Sequence, residues 1–171
     1  MDVGSNITLL STPTLESIEC AAAGRVVSGA PDLLEPLSSL ASAQPAPGEA
    51  LQLLVRRGAA FLAAERLLSR RAAGRAAVLA GQAAIRAVDL ALGTALLVSA
   101  GRFRPTDGAR ATELRLLAAP VDAGAAPEGL HLGMTRTRFR DVVQRHREAV
   151  RAAGGVDLPE TLAEVRTQAG R

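Results

Sequence analysis

The sequence predicts a mainly α-helical protein, an antiparallel helical bundle preceded by a small α/β segment. Three observations carry this. Residues 75–100 (RAAVLAGQAAIRAVDLALGTALLVSA) are apolar around most of a helix, with Val78, Ile85, Val88, Leu92 and Leu96 at helical spacing. From Glu49 onward the apolar residues keep recurring at three and four residues. The composition is 48% hydrophobic but only 2% aromatic, with three Phe and no Trp or Tyr, so Ala, Leu and Val must fill the core.

In chain order, residues 6–10 (NITLL) predict a short strand. Thr12 and Pro13 offer a cap and a first helical position, and Gly24 a stop, for a helix over 15–23. Residues 25–28 (RVVS) predict a second strand and 31–37 a single helical turn, which closes a small α/β segment at residue 37. Small, uncharged, Pro-containing residues 38–48 read as a linker, and 49–171 as the bundle domain. Within it, 49–71 predicts a helix with Leu51, Leu54, Gly58, Phe61, Leu62 and Leu68 on one broad side. Then follow the central helix, a turn at 102–108, a helix over 109–119 ended by Pro120, and a flexible loop to 133. A helix over 136–153 starts from Thr135 and buries Phe139, Val142, Val143, His146 and Val150. Asp157 and Glu160 resemble a capping box for a last short helix reaching about residue 167.

The central helix carries one polar line, Arg75, Gln82, Arg86 and Asp89, whose spacing keeps these side chains near one face. Charges in mid-stretch, with an uncharged run of only 90–101, argue against a transmembrane span and against a membrane partner. The N-terminus has no basic start and apolar run of a secretory signal, so the expected location is cytoplasmic.

All 20 basic residues are Arg, so no lysine is available for a Schiff base or a phosphate loop. Against 17 acidic residues they leave a net charge of +3, too little to imply extensive nonspecific nucleic-acid binding. The single cysteine, Cys20, makes no intramolecular disulfide, and with two histidines it forms no zinc-site spacing. Cys20 reads as a small buried residue.

Three stretches carry a family resemblance: GRVVSGAPDLL (24–34), EALQLLVRRGAAFL (49–62) and IRAVDLALGTALLVSAGRF (85–103). In order and spacing they resemble the C-terminal part of bacterial nucleotidyltransferase-like proteins, which join a polymerase-beta-type nucleotidyltransferase domain to a helical substrate-binding domain. The resemblance implies a strand closing the catalytic domain, then the first two helices of the helical domain. The family's catalytic signature, an Asp-x-Asp pair after a Gly-Ser turn with a third carboxylate, holds two magnesium ions. No Asp-x-Asp occurs in this chain, and Asp2 stands at most where the third carboxylate would be. Arg56-Arg57-Gly58 stands where the family tends to show Asn-Arg-Gly.

The expected function is therefore that of a nucleotidyltransferase-like protein without its catalytic core, a helical module binding a substrate or a partner and inactive as a single chain. Arg57, Arg86 and Asp89 are its candidate binding residues, since Arg grips phosphate bidentately and a buried Arg86–Asp89 pair would mark a ligand or partner site. The expected partner is a catalytic chain or a second copy, with nucleotide or RNA as ligand; no cofactor is expected, and magnesium enters only if a partner supplies carboxylates. A competing resemblance is to HEPN domains, similar helical domains that cleave RNA with an Arg and a His in a dimer cleft. Arg140-Asp141 and His146 (RDVVQRH) match that spacing and imply Arg140 for phosphate charge and His146 for acid–base chemistry. On a regular helix, six residues leave the two side chains roughly 120° apart, and His146 lies in the apolar stripe. A third expectation is a structural helical adaptor without a small-molecule site.

Overall fold

The structure is a computed structural model that describes residues 13–25, 28–29, 32, 34–69, 74–125 and 134–153. Five α-helices follow one another: α1 (Leu15–Ala23), α2 (Pro47–Leu68), α3 (Arg75–Ser99), α4 (Asp107–Asp122) and α5 (Arg136–Ala152), with a 3-10 helix at Glu35–Leu40 before α2. Local chemistry sets most of the starts. Thr14 and Ser17 form a reciprocal capping box on α1, Pro47 opens α2, and Thr106 and Thr135 cap α4 and α5 through their hydroxyls. These caps satisfy amide groups that a helix start otherwise leaves unpaired.

The C-terminal half of α3 is the axis of the fold. On one side Leu96 and Leu97 pack with Leu114, Leu117 and Val121 of α4 and Phe139 of α5. On another, Ala95 and Val98 join Leu15 and Ile18 of α1, Ala50 of α2 and Phe103. Small residues make this double contact feasible. At Gly93 any Cβ would overlap the His146 ring of α5, and it would lie 2.8 Å from Leu114 Cδ1, so glycine is what lets α5 approach α3.

Antiparallel α2 and α3 form the most extensive helix pair. Helix α3 has 25 residues and α5 has 17, so at 1.5 Å per residue α3 outruns α5 by roughly 12 Å. The tip of the α2–α3 hairpin is held by Leu68 against Gly81, and Val78, Leu79 and Ile85 there stay exposed.

Among the described residues there is no strand, so the fold is helical and the expected α/β segment is represented by its helix alone. The strand candidate 6–10 lies outside the described residues, as do Val26 and Val27 of 25–28. Helix α1 has the expected bounds, but Thr14 rather than Thr12 caps it. The helical turn expected at 31–37 forms later, at Glu35–Leu40. The linker expected at 38–48 contains the buried Pro45, and Gln44 exchanges two hydrogen bonds with the Phe103 backbone, accepting from its N–H at 2.9 Å and donating to its carbonyl at 3.2 Å. Helix α1 shares one core with α2 and α3 through Leu15 and Ile18.

Pro120 lies inside α4 rather than ending it. Placed in the last turn, it costs one amide bond, and the carbonyls of Ala119 and Pro120 still accept from Ala123 and Ala125. The broad apolar side expected on α2 is not buried as one face: Leu51 and Leu62 remain 65% and 61% exposed. Among the described residues the positions turned toward α3 and α1 find neighbours. The predicted helix over 157–167 lies outside the described residues.

The Gly93 contact yields a stability test. Gly93→Ala gains helix propensity yet forces a methyl into the His146 ring, and the net expectation is a loss of about 1–2 kcal/mol in urea unfolding. In a His146→Ala background the same substitution is expected to cost less, a coupling read from the double-mutant cycle.

Candidate functional site

Among the described residues, a charged cleft between α1, α2, α3 and α4 and the apolar back of the α2–α3 hairpin are open to another molecule. The cleft has a volume of about 310 Å³. Leu15, Leu53, Leu90 and Ala91 give it an apolar floor, while Glu16, Glu19, Glu49, Asp107, Arg56, Arg57 and Arg110 supply charge. Most of that charge is already committed. Arg56 meets Glu16 at 3.1 Å, and Glu49 accepts the Leu15 amide at 3.2 Å, holding the start of α1.

Arg110 is the best-buried of these charges. Its two terminal nitrogens reach Glu19 of α1 and Asp107 of α4 at 2.5 Å each, one of them also donates to the Arg104 carbonyl at 3.2 Å, and its guanidinium sits 5.4 Å over the Phe103 ring. Beside it, the buried Glu113 accepts from Arg102 and Arg104 of the α3–α4 turn. Opposite charge and bidentate geometry make these pairs a brace for the corner.

His146 is fully buried between Gly93 and Leu114, and among the described residues neither ring nitrogen has a hydrogen-bond partner. Burial and then the nearby Arg110 charge push its pKa down to about 4, against a smaller opposing effect of Asp107. It is neutral at pH 7 and out of reach of solvent. Arg140 is on the surface, donating to Asp122 at 2.6 Å. The structure therefore does not bring Arg140 and His146 to a common face, for the reason their spacing on one helix gives.

Of the three candidate binding residues, only Arg57 lines the cleft. Arg86 is half-buried and donates to the Gln82 carbonyl of its own helix at 3.4 Å. Among the described residues no ion pair joins it to Asp89. Asp89 is half-buried instead beside α5, where burial raises its pKa, Arg145 opposes that rise and Glu148 adds to it. Arg57, Arg86 and Asp89 are thus spread over the cleft, the hairpin and the α3–α5 side. No group of three or more His, Cys, Asp or Glu side chains capable of holding a metal occurs among the described residues, and Asp2 lies outside them.

The hairpin back is built from two stripes. On α2, Leu51, Val55 and Leu62 recur at four and seven residues and are 61–65% exposed; on α3, Val78 and Ile85 recur at seven and are 43% and 48% exposed. Seven residues on a helix return to within about 20° of the starting direction, so each set forms a line. Ile85 lies roughly 120–180° around α3 from the cleft residues Ala87, Ala91 and Thr94, and Val55 roughly 60–160° around α2 from Gln52, Leu53, Arg56 and Arg57. Both lines therefore fall on the side of the hairpin away from the cleft. Sequence periodicity marks all five as apolar helix positions but cannot separate those facing α3 from those left uncovered. Residues missed by the sequence reading include Arg110, Glu19 and Glu113, whose proximity joins segments up to 91 residues apart.

Comparison with protein-family models, with curated proteins and with solved structures finds no match.

The His146 environment predicts an acid-sensitive fold. Its pKa is about 4 when folded and near 6.5 when unfolded, so between these values the unfolded chain binds the extra proton. The His146 contribution is complete above pH 6.5 and is lost as the pH falls through 4, up to about 3 kcal/mol in all. Urea unfolding of the wild type and of His146→Leu across pH 7.5 to 4.5 is expected to show a shallower decline for the variant.

Proposed function

We propose that this chain is a non-catalytic helical binding module that works by docking another polypeptide on the back of its α2–α3 hairpin. One observation carries the reading: the large apolar side chains of Leu51, Val55 and Leu62 on α2 and of Val78 and Ile85 on α3 are left in water by every other described part of the chain. Large apolar side chains exposed along one helix face mark an association site when they are rimmed by polar groups. Glu65 and Arg66 provide such a rim, one on each side of Leu62.

This is the partner-binding role expected of a nucleotidyltransferase-like protein without its Asp-x-Asp core, acting in the cytoplasm. Any nucleotide chemistry, and the magnesium it needs, then belongs to the partner.

A photo-cross-linking residue placed at position 62 in producing cells is expected to give a covalent adduct with a polypeptide, and the same probe at position 138 on α5 is expected to give none. Absence of any adduct at 62, or equal labelling at both positions, overturns the reading.

A further inference from the structure

The face of α3 that α5 covers continues beyond the end of α5. Helix α5 runs antiparallel to α3: Phe139 packs with Leu96 and Leu97, the His146 ring lies on Gly93, and Val150 shares a cluster with Leu90. At 100° per residue, Leu90, Leu96 and Leu97 lie within about 60° of Gly93 around the α3 axis. Arg75, Val78, Leu79, Gln82 and Arg86 fall within the same 60°, and Ile85 lies at about 80°. Among the described residues these positions have no helix over them; all are exposed except the half-buried Arg86. The seat of α5 is thus prolonged, uncovered, for roughly 18 Å toward the start of α3.

The chain leaves α5 at Ala152 heading along this face, and residues 154–171 follow. The helix that the sequence predicts over 157–167 has a length of roughly 16 Å, close to that of the uncovered stretch, and reaching it requires no reversal of direction. Leu158 and Val165 stand seven residues apart, as do Val78 and Ile85. An antiparallel helix can therefore set Leu158 against Ile85 and Val165 against Val78, with Leu162 between them. Charge agrees: residues 74–88 contain Arg75 and Arg86 and no acid, while residues 156–165 contain Asp157, Glu160 and Glu164 and no base.

Size favours a tethered occupant. Val78, Leu79 and Ile85 alone fall short of the ~800 Å² that each partner gives a standard interface. A segment already joined to α5 docks at an effective concentration on the order of millimolar, so a smaller surface suffices. Residues 1–12 enter at the other end of α3, where Leu15 packs with Ala95 and Val98. That is roughly 25 Å along the axis from Val78.

We infer that the uncovered face of α3 is the docking site of this chain's own segment 157–167, laid antiparallel on Val78 and Ile85 in continuation of α5. The inference goes beyond the docking reading, because it gives the α3 half of the hairpin to the chain itself and leaves Leu51, Val55 and Leu62 of α2 to another polypeptide.

Disulfide trapping in the full chain, with the single native cysteine removed as Cys20→Ser, tests it. Val78→Cys/Val165→Cys is expected to close at the mass of one chain, at least tenfold faster than Ala76→Cys/Val165→Cys. Ala76 is exposed at nearly the same height but lies roughly 160° around α3 from Val78. Hydrogen exchange gives a second measure free of cysteines: Leu158→Glu/Leu162→Glu is expected to speed exchange of the 78–86 amides at least fivefold and to leave 91–98 unchanged. Equal closure of the two cysteine pairs, a product at twice the chain mass, or unchanged exchange at 78–86 overturns the inference. Such a result with the adduct at position 62 still present overturns the segment's docking alone; closure at 78–165 without an adduct at 62 supports it and overturns the docking of another polypeptide instead.

Discussion

The buried guanidinium of Arg110 is the constraint around which the described fold is organised. It sits where α1, α4 and the α3–α4 turn meet, and its two terminal nitrogens hold them: one donates to both Glu19 and the Arg104 carbonyl, the other to Asp107. A lone buried cation at this depth would be costly, and its two carboxylates and the face of Phe103 offset that cost. Its charge also reaches the next layer. His146, behind it against Gly93, is kept neutral by burial and by that same guanidinium. The corner therefore couples one ion-pair cluster to the approach of α5 to α3 at Gly93.

That approach follows from a core almost without aromatic residues. Ala and Gly on α3 let neighbouring backbones come near, so contact is gained by closeness rather than by large side chains. The arrangement works over residues 91–98, where α1, α2, α4 and α5 surround the helix. It does not extend farther toward the N-terminus of α3, because among the described residues no third helix accompanies the hairpin there. Large apolar side chains at the same period then face water, and the surface they create is the distinctive external feature of the chain.

This divides the molecule into a braced body and an overhanging arm. The cleft belongs to the body, and its charges are mostly satisfied within the chain. Among the described residues the arm is packed only where α2 and α3 meet each other. Association through the arm leaves the cleft open, so a binding role for one does not exclude a binding role for the other.

The sequence by itself determined the helical class, the bounds of α1, α3 and α5 to within a residue or so, the Thr135 cap and the burial of Phe139, His146 and Val150. These are encoded locally, in capping side chains and in apolar spacing of about 3.6 residues. Only the tertiary structure decided which apolar stripe is covered, since periodicity tells that Leu51 and Leu54 are both apolar but not which one meets α3. It alone placed Arg57 in the cleft and Asp89 against α5, and it alone joined Arg110 to Glu19 across 91 residues. The physical reason is that a helix pattern fixes the direction of a side chain around its own axis, while burial and ion pairing depend on which other axis stands opposite, and that is settled by packing between segments far apart in the chain.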